Sequence, residues 1–256
     1  MRELTRAIAT DPDAWTPGRA AQIASLFDSL ASGWRERDVP ERHEALGDAL
    51  ARGGSFPSGW CVEVGSGTGN ATADLRAAFH DVVSVELSRE MVRLSSVKGR
   101  QIQADAAALP LRTGSAAVVA LINMFLFPVE VARVLAEDGV LVWVSTNGDQ
   151  TPIYLPPTEV LNALPGTWHG ITSQAGWGAW LTARRITAHA DESPSVDAES
   201  RERPESPLDV PIATGPAVHA APARVIRTRP IRAGPVLLAA FGARVTGRSV
   251  VCLPPV

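Results

Sequence analysis

The sequence predicts an α/β protein whose central sheet is mostly parallel, and two observations carry that prediction. Short apolar segments alternate with amphipathic ones from residue 60 to residue 146, the pattern of parallel strands joined by helices. Two further strand candidates, near 167–173 and 177–186, are separated only by the short segment 174–176. A link of that length cannot cross over to a parallel neighbour, so these last two strands must pair antiparallel.

The predicted elements follow one another along the chain. Apolar residues at helical spacing indicate two helices ahead of the sheet, over 20–32 and 41–52. Strands are expected at 60–64, 82–86, 100–104, 116–122 and 139–146, with helices at 70–79, 88–97, 126–137 and 158–164. Because the strands are short and apolar, we expect both faces of the sheet to be covered.

A glycine-rich turn joins the first predicted strand to the helix that follows it. Glycine occupies Gly65, Gly67 and Gly69, so the backbone there can lie close to a nucleotide. A dinucleotide-binding turn requires glycine at the first, third and sixth positions, and the sixth position here is Asn70. The spacing therefore favours a cofactor without a pyrophosphate.

The run Glu63–Gly69 resembles motif I of the class I S-adenosylmethionine (SAM)-dependent methyltransferases of the ubiquinone/menaquinone-biosynthesis type, an acidic residue followed by G-x-G-x-G. The resemblance continues in order through the segments 82–87, 103–111, 123–127 and 133–141, and it covers roughly residues 20–186. It implies a Rossmann-like, seven-stranded, mostly parallel sheet with an antiparallel C-terminal hairpin and N-terminal capping helices. It also implies SAM-dependent methyl transfer to a small-molecule acceptor, with the sulfonium methyl positioned for in-line attack.

The resemblance also implies the cofactor contacts. Glu63 would favour the cationic amino group of SAM, Glu86 would accept hydrogen bonds from both ribose hydroxyls, and Asp105 would bind the adenine amino group. The expected cofactor-binding residues are Glu63, Gly65, Ser66, Gly67, Gly69, Glu86, Leu87, Asp105, Ala106 and Asn123. Dehydrogenases also bind ribose through a carboxylate at this position, so Glu86 indicates a ribose rather than SAM in particular.

Three of these residues have less specific expected roles. Leu87 and Ala106 would enclose the adenine ring, although each would serve equally well as packing. Asn123 follows the fourth predicted strand, at the end where open α/β sheets bind their ligands. Its amide would contact the SAM amino group or the acceptor, and a purely structural role in the strand-end turn is an equal alternative.

No side chain is identified as a catalytic base by the sequence. Methyl transfer from a sulfonium is already favourable, so positioning can supply most of the catalysis. Tyr154 and His169 follow the fifth strand and are the nearest candidates should the acceptor have to lose a proton. Trp34 and Phe27 would line a lid above SAM, or pack in the core.

Composition narrows the classes of partner. The 256 residues carry a formal net charge of -3, which gives no basic excess for a nucleic-acid partner. The two cysteines, Cys61 and Cys252, suggest neither a disulfide framework nor a metal site. The first 18 residues lack the apolar core of a signal peptide, and no apolar run approaches the ~20 residues that span a bilayer. The expected location is the cytoplasm, and oligomeric state is not predicted.

Three regions are expected along the chain. Residues 1–54 form a helical cap, 55–186 the SAM-binding core, and 187–256 a disordered or loosely packed tail. The tail holds ten of the twenty prolines and one aromatic residue, Phe241, so it can bury little apolar area to offset chain entropy.

Two alternatives to a methyltransferase remain open. A nicotinamide-dependent oxidoreductase would share the sheet topology, although Asn70 and the block around Asp105 weigh against it. A SAM-binding protein without turnover would explain why Ser115-Ala116-Ala117 stands where the family often has an aromatic residue and an aspartate.

Overall fold

The computed structural model describes residues 1–96, 99–186 and 221–227. Its strands are β1 (Trp60–Val64), β2 (Asp81–Glu86), β3 (Gln101–Gln103), β4 (Ala116–Ile122), β5 (Leu135–Ser145), β6 (Trp168–Ala175), β7 (Gly178–Arg185) and β8 (Arg224–Arg227). Its α-helices are α1 (Arg2–Thr10), α2 (Pro17–Leu30), α3 (Glu44–Arg52), α4 (Thr72–Ala78), α5 (Arg89–Leu94), α6 (Pro128–Val134) and α7 (Pro157–Ala163). Most of the predicted tail lies outside the described residues.

All eight strands belong to one sheet, in the order β3-β2-β1-β4-β5-β7-β6-β8. Strands β1 to β5 pair in parallel, and β7 pairs antiparallel with both β5 and β6. The chain runs outward from β1 to β3 and then returns to the other side of β1 to form β4. Parallel sheets bind ligands where the strand order reverses in this way, at the carboxyl ends of the strands. The predicted fold class is confirmed.

The sheet has one strand more than the seven that the resemblance implied. Strand β8 pairs antiparallel with β6, with Gly170 opposite Ile226. Just before it, the carbonyl oxygen of Ala221 accepts a hydrogen bond from the Ser173 hydroxyl (2.7 Å). The edge of β6 would otherwise leave backbone N–H and C=O groups unpaired, and this short strand from the predicted tail pairs with them.

Strand β4, at the centre of the sheet, is buried on both faces because every residue along it is apolar. In β4, Val118 and Ala120 pack with one cluster of core residues, while Val119 and Leu121 pack with the other. Helix α3 covers the first face, where Trp180 donates a hydrogen bond from its indole nitrogen to Asp48 (2.6 Å). Helices α6 and α7 cover the other face.

Helix α1 and the start of β5 differ most from the sequence prediction. Helix α1 was not predicted; it buries Ile8 and Ala9 and is tied to α7 by a bidentate ion pair between Arg6 and Glu159. The helix expected over 126–137 ends at Val134, because Leu135 already pairs with Ala116 at an irregular start of β5. Among the described residues, none of the helices has the length and apolar character needed to span a bilayer.

Candidate cofactor and acceptor site

A cavity of about 360 Å³ opens at the carboxyl ends of β1, β2 and β4, where the strand order reverses. Nine of the ten predicted cofactor-binding residues line it, and Gly69 does not. The backbone N–H of Gly69 instead donates to the carbonyl oxygen of Ser66 (2.9 Å), which closes the turn beneath the cavity. The N-terminal segment forms the opposite wall of the cavity.

The three glycines of the turn all adopt left-handed backbone conformations. Their φ angles are 76° at Gly65, 56° at Gly67 and 88° at Gly69. A Cβ on Gly65 would lie 2.4 Å from the sulfur of Met124, and a Cβ on Gly67 would lie 3.2 Å from the indole nitrogen of Trp34. The turn therefore requires glycine both for its conformation and for the close approach of these side chains.

Gly65→Ala would disturb both the backbone conformation at this position and the close approach of Met124. Its φ of 76° makes alanine cost about 1–2 kcal/mol in backbone strain. We also expect SAM binding to weaken by about tenfold or more, equivalent to about 1.4 kcal/mol, because the added methyl displaces Met124 into the cavity. Thermal denaturation and calorimetry measure the two effects.

Gly114→Ala is the matched control for this change. Gly114 has a similar φ, 67°, but a Cβ there would contact nothing within 4 Å, and the residue lies outside the cavity. It should lose comparable stability and keep full SAM affinity. Equal affinities in the two variants would contradict a role for the turn in binding.

Glu86 ends β2 and directs its carboxylate toward the glycine turn. One oxygen accepts from the N–H of Gly67 and the other from the N–H of Ser88, both at 2.8 Å. Burial raises the pKa of Glu86, partly opposed by these hydrogen bonds. A carboxylate offers about four lone-pair sites, so Glu86 retains acceptor capacity on the cavity side.

Glu63 lies beneath the turn and is fully buried. One of its oxygens accepts from the hydroxyls of Thr72 (2.5 Å) and Ser84 (2.9 Å), which ties β1 to α4 and β2. Burial raises the pKa of Glu63 to about 7, against the lowering effect of these hydroxyls. Glu63 thus combines a place on the cavity wall with a structural role in the turn.

Asp105 is already engaged by the N-terminal segment. Its carboxylate accepts from the indole N–H of Trp15 (2.9 Å) and from the backbone N–H of Ala107 (2.9 Å). Trp15 also packs edge-on against Phe127, with ring centroids 5.2 Å apart. The region predicted to hold adenine, with Leu87 and Ala106 beside it, therefore has an aromatic wall that the resemblance did not imply.

Asn123 connects the ends of β4 and β5. Its side-chain N–H₂ donates to the hydroxyl of Thr146 and its side-chain oxygen accepts from the Thr146 N–H, both at 2.9 Å. Its φ of 52° is the only left-handed value among the described non-glycine residues. Asn123 therefore ties the ends of these two strands together and also lies on a wall of the cavity.

Helix α2 and the turn after it cover the cavity. Phe27 and Trp34 both line it and pack edge to face, with ring centroids 5.7 Å apart. Asp28 fixes this cover to the core, because its carboxylate accepts from the Ser88 hydroxyl (2.5 Å) and from the Glu90 N–H (3.0 Å). The expected lid residues thus lie over the glycine turn and beside Glu86.

Comparison with known proteins agrees with this geometry. Residues 62–143, which run from β1 to β5, match the family model described as a methyltransferase domain. The resemblance to the class I SAM-dependent methyltransferases is confirmed. No curated protein matches this sequence.

Solved structures with the same fold include several methyltransferases. The chain superposes on a SAM-dependent methyltransferase from Thermotoga maritima, described as a possible histamine N-methyltransferase (TM-score 0.51, 16% identity, 63% of this chain and 99% of that one). The DhpI structure with S-adenosylhomocysteine (SAH) gives a TM-score of 0.54 at 19% identity, covering 67% and 98%. Phosphoethanolamine N-methyltransferase 1 from Haemonchus contortus gives 0.51 at 14% identity, and the match spans only 51% of that chain and 68% of this one. At these identities the likeness shows the fold.

The cavity is also lined by a histidine, His43, that the sequence analysis did not single out. His43, directly before α3, hydrogen bonds Asp38 (2.7 Å) through Nε2 and Asp74 (2.5 Å) through Nδ1. Burial lowers the pKa of His43, but the two carboxylates outweigh it and raise the pKa above its ordinary value. Nothing in the sequence spacing pairs these residues, because Asp74 lies 31 positions away on α4.

The two residues considered as catalytic bases do not line this cavity. Tyr154 borders a separate, more open depression near Trp177. His169 lies on β6, where burial and the charges of Arg184 and Arg227 lower its pKa. The described residues also contain no group of three or more His, Cys, Asp or Glu side chains arranged to hold a metal ion.

Proposed function

We propose that this chain transfers a methyl group from SAM to a small-molecule acceptor in the cavity at the carboxyl ends of β1, β2 and β4. The observation that carries the proposal is the placement of Glu86 beside the left-handed glycine turn, with acceptor capacity directed into the cavity. A carboxylate in that place suits two ribose hydroxyls, and a turn with Asn70 at the sixth position suits a cofactor without pyrophosphate.

The acceptor and apolar groups that line the cavity would hold SAM along its length. Glu86 would hold the ribose, and Leu87 and Ala106 would pack against the adenine near Asp105. The methionine end would lie beside the backbone of Gly65 and Gly67, near the side chains of Met124 and Trp34 that approach the turn. Asp105 already accepts from Trp15 and Ala107, so the adenine amino group would share its remaining lone pairs.

The chain's own residues act by positioning and by excluding water. When bound, SAM supplies a sulfonium methyl that a nucleophile can attack directly. Phe27 and Trp34 cover the cavity, and Asp28 holds that cover against the loop that presents Glu86. His43 links the cap to α4 through its hydrogen bonds to Asp38 and Asp74, and these two carboxylates raise its pKa against the lowering effect of burial. Holding the reactants in line is the main contribution that this geometry offers.

A labelled-methyl assay tests the proposal. Protein, methyl-labelled SAM and a small-molecule extract are combined, and the label is followed into the fraction below the size of proteins and nucleic acids. We expect label in small molecules with the wild-type chain and little with Glu86→Gln. Label confined to macromolecules would refute a small-molecule acceptor, and tight SAM binding with no transfer would favour a binding protein without turnover.

A further inference from the structure

The charged groups that line the cavity differ in whether they have hydrogen-bond or ion-pair partners. Each carboxylate has a donor: Glu63 has Thr72 and Ser84, Glu86 has Gly67 and Ser88, Asp105 has Trp15 and Ala107, and Asp38 has His43. The two guanidinium groups that line the cavity, Arg37 and Arg42, have no hydrogen bond or ion pair with any described residue. Positive charge is therefore the part of this lining that is left without a partner.

Arg37 is held in place by stacking rather than by an anion. Its guanidinium carbon lies 5.0 Å from the ring centroid of Trp34, whose indole nitrogen packs over the glycine turn at Gly67. Stacking on an indole leaves the guanidinium N–H groups free at the ring's edge. Arg37 therefore presents unused donors at the exposed mouth of the cavity, above the position expected for the methionine end of SAM.

Arg42 lies one turn further along the cap and is half-buried. The acidic residues nearest to it in sequence, Glu41 and Glu44, form no ion pair with it. Asp38 and Asp74 are both bound by His43, the residue after Arg42, rather than by Arg42. A half-buried guanidinium without an anion is costly to keep, which favours a ligand that supplies one.

We propose that the methyl acceptor is a small molecule with an apolar body and an anionic group, a carboxylate or a phosphate, which Arg37 and Arg42 bind at the mouth of the cavity. The apolar side chains of α2 that line the same wall would contact the body of the acceptor; they are Ile23, Leu26, Phe27 and Leu30. Guanidinium groups match the planar geometry of carboxylates and phosphates. This inference rests on the proposed methyl transfer and names the acceptor class for it.

In this arrangement the arginines hold the anionic group at the mouth of the cavity, and a different atom of the acceptor receives the methyl group. The acceptor's nucleophile attacks the sulfonium methyl, the carbon–sulfur bond breaks with its electron pair on sulfur, and SAH is released. Any proton on the nucleophile leaves to solvent. The product therefore keeps the negative charge that the arginines recognised.

Affinity selection tests the acceptor class without requiring turnover. The full chain, loaded with SAH, is incubated with a small-molecule extract, and the compounds retained on ultrafiltration are identified by mass spectrometry. We expect the retained compounds to carry a carboxylate or phosphate. The amount retained by the Arg37→Gln/Arg42→Gln double variant should be about 10- to 100-fold lower than that retained by the wild type. Arg112→Gln/Arg224→Gln, at two exposed arginines away from the cavity, is the control for the same change in net charge.

The SAM dissociation constant shows whether the two arginines bind the anionic group of the acceptor or the carboxylate of SAM itself. We expect the double variant to bind SAM within about twofold of wild type, because the arginines serve the acceptor. A SAM affinity that falls tenfold while retention is unchanged would assign them to the methionine carboxylate and overturn the inference. Retention of only neutral or cationic compounds, or of none, would overturn it too. Failure of the wild-type chain to bind SAH at all would instead refute the proposed function.

Discussion

Replacing Glu86 with Gln is expected to weaken SAM binding by about 10- to 100-fold, the loss that accompanies hydrogen bonds to a charged acceptor. Glutamine keeps one side-chain oxygen where glutamate has two, and its N–H₂ would face the N–H of Gly67 or Ser88, which now donate to the carboxylate. The ribose would therefore lose at least one acceptor. Isothermal titration of the folded variant with SAM measures the effect.

Two companion measurements make the Glu86 result specific. Glu137→Gln removes an exposed carboxylate at the start of β5, outside the cavity, and should bind SAM as the wild type does. Circular dichroism of Glu86→Gln shows whether the fold is retained. A folded Glu86→Gln variant with undiminished SAM affinity would remove Glu86 from the ribose site.

Glu63→Gln is expected to change how stability depends on pH. Burial raises the pKa of Glu63 from 4.5 to about 7 in the folded state, so the native chain holds this proton more tightly than the unfolded chain. The associated stability is fully present below pH 4.5 and is lost as pH rises through 7. Between pH 5 and 8 the wild type should lose about 2 to 3 kcal/mol relative to Glu63→Gln.

Denaturant unfolding of both proteins at several pH values in that range measures this difference. Other titrating groups, including His43, are common to the two proteins and cancel in the comparison. The contrast should be smallest at the acidic end, where Glu63 is protonated and resembles glutamine. Parallel stability curves from pH 5 to 8 would show that Glu63 does not carry a raised pKa.

The sheet could be predicted from the sequence because its strands are local apolar segments. The bounds predicted for β1 and β4, at 60–64 and 116–122, match those observed. The glycine turn and Glu86 could be predicted equally well, because the turn directly follows β1 and Glu86 is the last residue of β2. Strand β8 was not predicted, because a four-residue edge strand with arginine at both ends has little apolar pattern.

The polar contacts that fix the cover of the cavity could not be predicted, because they join distant parts of the chain. The Trp15–Asp105 and Asp28–Ser88 hydrogen bonds span 90 and 60 residues, and no spacing in the sequence relates these pairs. The same holds for His43, whose two carboxylates come from the cap and from α4. Individual polar residues of this kind acquire a role only when tertiary packing brings them together.

Calorimetric titration with SAM, SAH and NAD shows which cofactor the cavity binds. We expect saturable heats with SAM and SAH at one site per chain, and none with NAD, because Asn70 stands where a pyrophosphate-binding turn needs glycine. Binding of NAD in preference to SAM, or the absence of heat with both SAM and SAH for properly folded protein, would contradict a SAM site in this cavity.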